Sequence, residues 1–361
     1  MKIKSIKLKN YRNYDFLNLD FNEKTNIFYG DNAQGKTNIL ESVYLLGTSK
    51  SHRGTKDRDL IEFNNDESHL ELILEKNDID YRIDMHLKKN SPKGIAINKI
   101  PIKKASELYG IVNFVFFSPE DLNIIKNGPG ERRRFIDLEL SQLDRVYLSD
   151  LASYNKIINQ RNHLLKEISF NNNLLKTLDV WDEQLVFYGS KIIDRRQELV
   201  NQLNEIIKPI HNNLTGDSEN LEIFYEPSNS NISLLEAVKR NREKDLKIKS
   251  SSVGPHRDDI CFMSQNIDIR TYGSQGQQRT VALSLKLSEI ELIKKYTNQK
   301  PILLLDDVLS ELDKNRQNYL LDSIDDIQTL ITCTGLDEFI NNRFKVDKLF
   351  RVVNGSVIVE N

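Results

Sequence analysis

The segment Gly30-Asp31-Asn32-Ala33-Gln34-Gly35-Lys36-Thr37 constrains this chain more than any other. Asn26-Ile27-Phe28-Tyr29 before it reads as a short buried strand, and Asn38-Ile39-Leu40-Glu41 through Leu46 continues as a helix. A strand, a glycine-bearing loop and a helix in that order, spaced GxxxxGK[ST], form a cradle for phosphate. Gly30 and Gly35 permit a backbone path that turns amides toward an anion, and the positive end of the helix dipole adds to the pull. Lys36 is then expected to reach the β- and γ-phosphates of ATP, and Thr37 to offer a hydroxyl to Mg²⁺. Asn38, one residue on, is a further candidate near the nucleotide.

A second segment completes that chemistry. Ile302-Leu303-Leu304-Leu305 is a continuous apolar run of the buried-strand kind, and it ends in Asp306-Asp307. Asp306 is expected to hold Mg²⁺ and Asp307 to polarise the attacking water. Ser310-Glu311-Leu312-Asp313 follows, where Asp313 either caps a helix or lies near nucleotide. Leu330-Ile331-Thr332-Cys333-Thr334 reads as a neighbouring strand whose Thr332 or Thr334 could stand near the γ-phosphate.

Tyr272-Gly273-Ser274-Gln275-Gly276-Gln277 opens another helix, about 240 residues after the phosphate loop. Ser274 can cap it and Gly276 leaves its first turn open, making a second anion-binding helix start. The run Ser-x-Gly-Gln resembles the signature of ABC-type ATPases, which meets the γ-phosphate held by the other protomer. On that resemblance Ser274, Gln275, Gly276 and Gln277 bind ATP in trans, and ATP joins two chains as a homodimer.

The remaining pattern divides the chain. Alternation at Ile3, Ile6, Leu8, Phe16, Leu19 and Phe21, and again from Leu70 to Leu87 around a Lys76-Asn77-Asp78 turn, predicts antiparallel strands. Ile95 to Ile102 reads as one more strand and Ile111 to Phe117 as a buried one. From about Gly128 to Pro209 the pattern is helical. Leu178, Leu185, Ile192, Leu199 and Ile206 recur every seventh residue, a seam suited to a helix hairpin with its turn at Asn171-Asn172-Asn173. Leu234 to Lys249 reads as one basic helix. The expected fold is α/β: an ABC-type P-loop head, with a mixed sheet around the phosphate loop, from residues 1–120 and 250–361. A mainly helical lobe is inserted at 121–249. The net charge of −2 argues against a uniformly basic nucleic-acid binder, so a DNA site must be a local patch or one assembled from two chains. Cys261 and Cys333 show no metal spacing. The charged, alternating start MKIKSIKLKNYRNY reads as a strand, and no run nears the about 20 apolar residues of a membrane span, so a cytoplasmic location is expected.

Taken in order, these segments resemble the RecF family of bacterial DNA replication and repair proteins, relatives of SMC and Rad50 heads. The resemblance rests on Leu8-Lys9-Asn10-Tyr11-Arg12-Asn13-Tyr14, the phosphate loop, Ser51-His52-Arg53, Phe117-Ser118-Pro119-Glu120-Asp121-Leu122 and Gly128-Pro129 with Arg132-Arg133-Arg134-Phe135. It continues through Gly254-Pro255-His256-Arg257-Asp258-Asp259, the Ser274 loop and Asp306-Asp307-Val308 with Ser310-Glu311-Leu312-Asp313. It implies an ATP-dependent dimer with slow, DNA-stimulated hydrolysis. It also implies binding to single-stranded DNA and single/double-strand junctions at gaps, help in loading RecA with RecO and RecR as partners, and a role in the SOS response.

Beside the resemblance, several basic residues are open to two readings. Arg53 could contact nucleotide or face solvent. Arg132, Arg133 and Arg134, and the run Arg240, Arg242, Lys244, Lys247 and Lys249, could face DNA phosphates or form solvated helix surfaces. A transporter subunit is disfavoured by the long insertion between the two phosphate-binding segments, and an SMC-type clamp by the shortness of the Leu178–Ile206 seam.

Overall fold

The computed structural model describes residues 1–229, 232–336 and 345–360. In chain order the elements are β1 (Lys2–Tyr11), β2 (Tyr14–Asp20), β3 (Thr25–Tyr29), α1 (Lys36–Thr48), β4 (Glu67–Lys76), β5 (Ile79–Lys88), β6 (Ser91–Ile97), β7 (Ile100–Pro101) and β8 (Phe114–Phe117). Next come α2 (Leu122–Lys126), α3 (Pro129–Leu143), α4 (Arg145–Ile168), α5 (Leu178–Thr215), β9 (Leu221–Glu226), α6 (Leu234–Arg240), α7 (Arg242–Ile248), β10 (Asp259–Ser264), β11 (Ile267–Asp268), α8 (Ile269–Tyr272) and α9 (Gln275–Thr297). The chain ends with β12 (Ile302–Asp306), α10 (Lys314–Ser323), β13 (Thr329–Cys333), β14 (Lys348–Val353) and β15 (Ser356–Glu360).

Two compact units result: Met1–Asp121 with Glu289–Asn361, and Leu122–Ser288. The first holds two sheets. One is antiparallel, in the order β2-β1-β4-β5-β6-β7. The other runs β15-β14-β3-β13-β12-β8, parallel from β14 to β8 with β15 as an antiparallel edge. Every residue of β8, β12 and β13 is buried, as the unbroken apolar runs require. Phe28 of β3 stacks on Phe350 of β14 at 4.6 Å. Two details differ from the sequence pattern. Phe16 faces out at 65% exposure and Leu17 takes the inward place. Ile95–Ile102 is not one strand, because Asn98 and Lys99 both adopt positive φ and turn the chain back into β7.

The second unit is built on the α4–α5 hairpin, whose turn is fixed by the Asn171 side chain accepting from the Asn173 amide. Leu178, Leu185, Ile192 and Leu199 are buried as the seven-residue spacing demands, but the seam then passes to Leu203 and Ile207, leaving Ile206 partly exposed. A straight helix drifts against a strict heptad, and over the 38 residues of α5 that drift moves the buried stripe by one position. The basic segment Leu234–Lys249 is two helices, broken at Asn241. There Asn241 Nδ2 bonds back to the Ala237 carbonyl, and Arg242 turns to Asp182 at 2.6 Å. The unit also claims residues 250–288, which sequence pattern assigned to the head. The physical cause is β10, which pairs along its length with β9 and closes a three-stranded sheet.

A buried ionic core holds this second unit. Arg161, fully buried, donates to Asp182, Asp245 and Ser251, each at 2.7 Å. Arg196 bonds Asp137 and the Pro255 carbonyl at 2.7 Å. Removing one partner from such a pair strands a charge and costs about 3–5 kcal/mol. Among the described residues no helix is long and apolar enough to cross a membrane.

Candidate nucleotide site

In the parallel sheet β13 lies between β3, which feeds the phosphate loop, and β12, which ends at Asp306. Their carboxyl ends therefore open on one edge, where ligands bind in parallel sheets. Gly30 sits at φ +147°, and a Cβ there would stand 2.4 Å from the Val352 carbonyl oxygen. Gly35 sits at φ +112°, and its Cβ would meet Asn13 Nδ2 at 2.4 Å and the Tyr14 hydroxyl at 2.8 Å. Ala33 adds a third positive φ, +64°. α1 begins at once after Gly35 with no capping side chain and no acid in its first turn, which leaves its positive end for an anion.

The charged groups converge there. Lys36, buried, donates to the carbonyls of Gly30 at 2.6 Å and Asp31 at 2.7 Å. Thr37 Oγ1 donates to Asp306 Oδ1 at 2.7 Å. Thr332 Oγ1 donates to the same oxygen at 2.7 Å and accepts the Asp307 amide at 3.0 Å. Asp307 is held at φ +51°, its amide also reaching the Thr332 carbonyl at 3.2 Å. Arg53 Nη2 lies 4.0 Å from Asp306 Oδ2. Burial pushes the Asp306 carboxyl above its usual range, against the hydroxyls of Thr37 and Thr332 and the guanidinium of Arg53. Burial also lowers the Lys36 ammonium, opposed chiefly by Asp307. A buried carboxylate oxygen beside a hydroxyl forms a hard-oxygen donor set, which suits Mg²⁺.

The sequence left one layer unseen. Asn13 Nδ2 donates to the Gln34 carbonyl at 3.0 Å and Tyr14 Oη to the Gly35 carbonyl at 3.0 Å. From the other side the Asn354 amide donates to Gln34 Oε1 at 2.6 Å and the Gly355 amide to the Gln34 carbonyl at 3.2 Å. Two hairpin turns thus clamp the phosphate loop. Arg12 fixes the base of α1 through a two-point bond to fully buried Glu41, at 2.9 and 3.0 Å. Asn38 is engaged the same way, its Nδ2 donating to Asn13 Oδ1 at 2.8 Å. The Asn10–Tyr14 segment carried the family likeness, but its contacts span the sequence and no local pattern announces them.

Other residues fall in different places. Ser274, Gln275 and Gly276 are exposed at the start of α9 in the second unit. The Ser274 amide donates to Gln277 Oε1 at 2.9 Å while the Gln277 amide donates to Ser274 Oγ at 3.2 Å, a reciprocal cap. Asp313 caps α10 through the Asn315 and Arg316 amides at 3.1 Å, the alternative its sequence context allowed. Arg132 corrects the reading of the basic run. At 4% exposure it is held by Asp259 at 2.5 and 3.0 Å and by the Asn127 carbonyl at 2.6 Å, so it is a structural residue and not a phosphate contact. Arg133 is half-buried and donates to the Asp258 carbonyl, whereas Arg134, Arg240, Lys244 and Lys247 are exposed. Arg240 pairs with Glu236. His256 belongs to the second unit's interior, joined to Tyr154 at 2.6 Å, and burial lowers its pKa to about 4.

A phosphate loop at the end of β3, an acidic strand end on β12 across the intervening β13 and a capped Ser-Gln-Gly-Gln helix start define an ABC-type ATPase head. Residues 1–327 match the family model described as an AAA ATPase domain. The DNA replication and repair protein RecF of Agathobacter rectalis is 64% identical, with 99% of each chain covered. That of Lachnospira eligens is 60% identical over the whole of both. The chain belongs to the RecF family of DNA replication and repair proteins. Among solved structures, the recombination mediator protein RecF of the RecFOR pathway in its ATP form superimposes with TM-score 0.93 at 36% identity, covering 100% of this chain and 98% of that one. The Smc head domain from Pyrococcus furiosus, at 15% identity and TM-score 0.58 over 99% and 96% of the two chains, shares the fold.

Proposed function

We propose that this ATPase binds ATP with Mg²⁺ between two copies of itself and uses the joined state to hold DNA. The observation that carries the nucleotide half is the convergence of Lys36, Thr37, Asp306 and Thr332 at one edge of the parallel sheet. Thr37 and Asp306 would hold Mg²⁺, whose charge neutralises phosphate oxygens. Lys36 binds the β- and γ-phosphates, and the α1 amides add donors. Asp307, kept in place by Thr332, orients and deprotonates water for slow hydrolysis. Arg53 and Asn38 stand close enough to the loop to sense what it holds. One solved relative of the same fold is RecF with ATP, which supports the choice of nucleotide.

The dimer half rests on Gly276. A Cβ there would have Ser274 Oγ as its nearest neighbour, at 3.9 Å, so among the described residues no neighbour asks for glycine in that exposed helical turn. An exposed helix start with a glycine and no internal reason for it suits a ligand carried by another chain. Ser274, Gln275, Gly276 and Gln277 then close on the γ-phosphate in trans. Arg134, Arg240, Lys244 and Lys247 remain the candidates for DNA phosphates, with Arg133 in a lesser part. The preferred DNA is single-stranded or a single/double-strand junction at a gap, in the cytoplasm. The family implies RecO, RecR and RecA as the pathway served, with SOS induction downstream. The test is the mass of the chain by light scattering with ATP and Mg²⁺, for wild type, Lys36→Met and Ser274→Arg. A doubled mass for wild type alone is expected; the same monomer in all three would overturn the proposal.

A further inference from the structure

The face of the antiparallel sheet turned away from its buried side carries a cluster that the nucleotide chemistry does not use. Along β4 the residues Ser68, Leu70, Leu72 and Leu74 are inward, and along β5 Ile83, Met85 and Leu87. Strand alternation puts Glu67, His69, His86 and Lys88 on the opposite face. In the register of this antiparallel pair His69 stands directly opposite His86, and Glu67 opposite Lys88. The two imidazoles stack, centroids 3.9 Å apart and planes 23° from parallel. Stacked imidazoles repel if both are protonated, and a neutral imidazole is the form that ligates metal. His86 Nε2 lies 2.8 Å from Glu67 Oε2, and His69 Nε2 lies 4.0 Å from the same oxygen. One donor atom from each of the three residues falls within 4.8 Å of the others.

We propose that Glu67, His69 and His86 form a site for a borderline divalent cation of the Zn²⁺ class, tying β4 to β5 on the surface of the ATPase unit. Two nitrogens and one carboxylate oxygen are a Zn²⁺ donor set, with a fourth position left to solvent. Ligand atoms around tetrahedral Zn²⁺ sit about 3.4 Å apart, given bond lengths of about 2.1 Å. All three side chains are at least partly exposed, so modest rotations bring the donors to that spacing. Lys88 Nζ, 3.3 Å from Glu67 Oε1, holds the carboxylate by its other oxygen and leaves Oε2 directed at the imidazoles. Such an outer partner orients a ligand, although its charge also weakens cation binding. Mg²⁺ prefers an oxygen shell and is a poor competitor for these nitrogens.

The experiment is calorimetric titration of the chelator-treated full-length chain with ZnCl₂, with Co²⁺ absorption as a second readout of coordination. One Zn²⁺ per chain is expected, undisturbed by millimolar Mg²⁺. His69→Ala and His86→Ala should each weaken it by about tenfold or more, and Glu67→Gln by a smaller factor. These are surface substitutions, and circular dichroism of each variant serves as the folding control. Zn²⁺ should also raise the melting temperature of wild type and not of the His69→Ala/His86→Ala double variant. Absence of binding, or the same stoichiometry and affinity in the double variant, overturns the site.

Discussion

The two glycine-bearing helix starts are built on opposite principles. At Gly35 the glycine is required from within: φ is +112°, and Asn13 and Tyr14 fill the space a Cβ would need. That helix is left without a capping side chain. At Gly276 the backbone makes no such demand and the surroundings are open, and the helix is capped reciprocally by Ser274 and Gln277. The first is a rigid mould, shaped by two hairpin turns before any ligand arrives. The second is a finished helix end with a bare patch facing outward. The glycine explained by its own chain, Gly35, speaks of preorganisation, while the open one at Gly276 is where the proposed second chain would approach. In the proposed dimer, rigid loop and open signature would divide the labour of holding one anion.

The largest expected effect falls on the mould. Lys36→Met removes the only ammonium bonded inside the loop among the described residues, and should weaken ATP binding by about 3–4 kcal/mol, read by nucleotide titration. Gly35→Ala follows, because strain and collision together should cost the fold about 2–3 kcal/mol and spoil nucleotide binding at once. A melting curve near wild type for that variant would break the contrast.

Asp306→Asn sharpens it in the other direction. The folded-state pKa of Asp306 is raised, so the stability this group contributes is present at low pH and is lost as pH rises through that value. At neutral pH its buried charge is a net cost to the nucleotide-free chain. The Asn variant, which keeps an oxygen for the Thr37 and Thr332 hydroxyls, should then melt higher by about 2 °C, with the gap closing in acid. The same variant should lose the extra stabilisation that Mg²⁺ brings to nucleotide. Smallest in stability is Gly276→Ala, expected to be neutral or stabilising by about 0.5 kcal/mol in thermal melts. If Gly276 faces a second chain as proposed, the variant's ATP-dependent association should nevertheless fall, since the added methyl would meet the incoming partner.

What could be read beforehand follows the same divide. The loop, the β12 strand end and the signature are local patterns, so spacing alone placed Lys36, Thr37, Asp306 and Ser274 on the right elements. The strand pattern leaves Thr332 and Thr334 as equal alternatives; it is the pairing of β13 beside β12 that brings the Thr332 hydroxyl to Asp306. Arg132 was not legible, since a run of three arginines looks solvated until Asp259, 127 residues away, draws the first of them inside. The Asn13–Gln34 and Asn354–Gln34 clamps escape for the same reason, being contacts between distant hairpins. The boundary at residue 250 was misplaced because strand pairing, not composition, decides it: β10 takes β9 as partner. Phe16 and Leu17 show the period-two ambiguity of adjacent apolar residues, settled only by which one the core accepts.

If two different chains grip one triphosphate, mixing two differently broken chains restores the grip. Lys36→Met and Ser274→Arg are each expected to stay monomeric with ATP and Mg²⁺. A mixture of the two can still assemble one intact site, with Lys36 from one chain facing Ser274 from the other, and should therefore gain a dimer peak in light scattering. A Ser274→Arg chain that dimerises with ATP as wild type does would contradict the account.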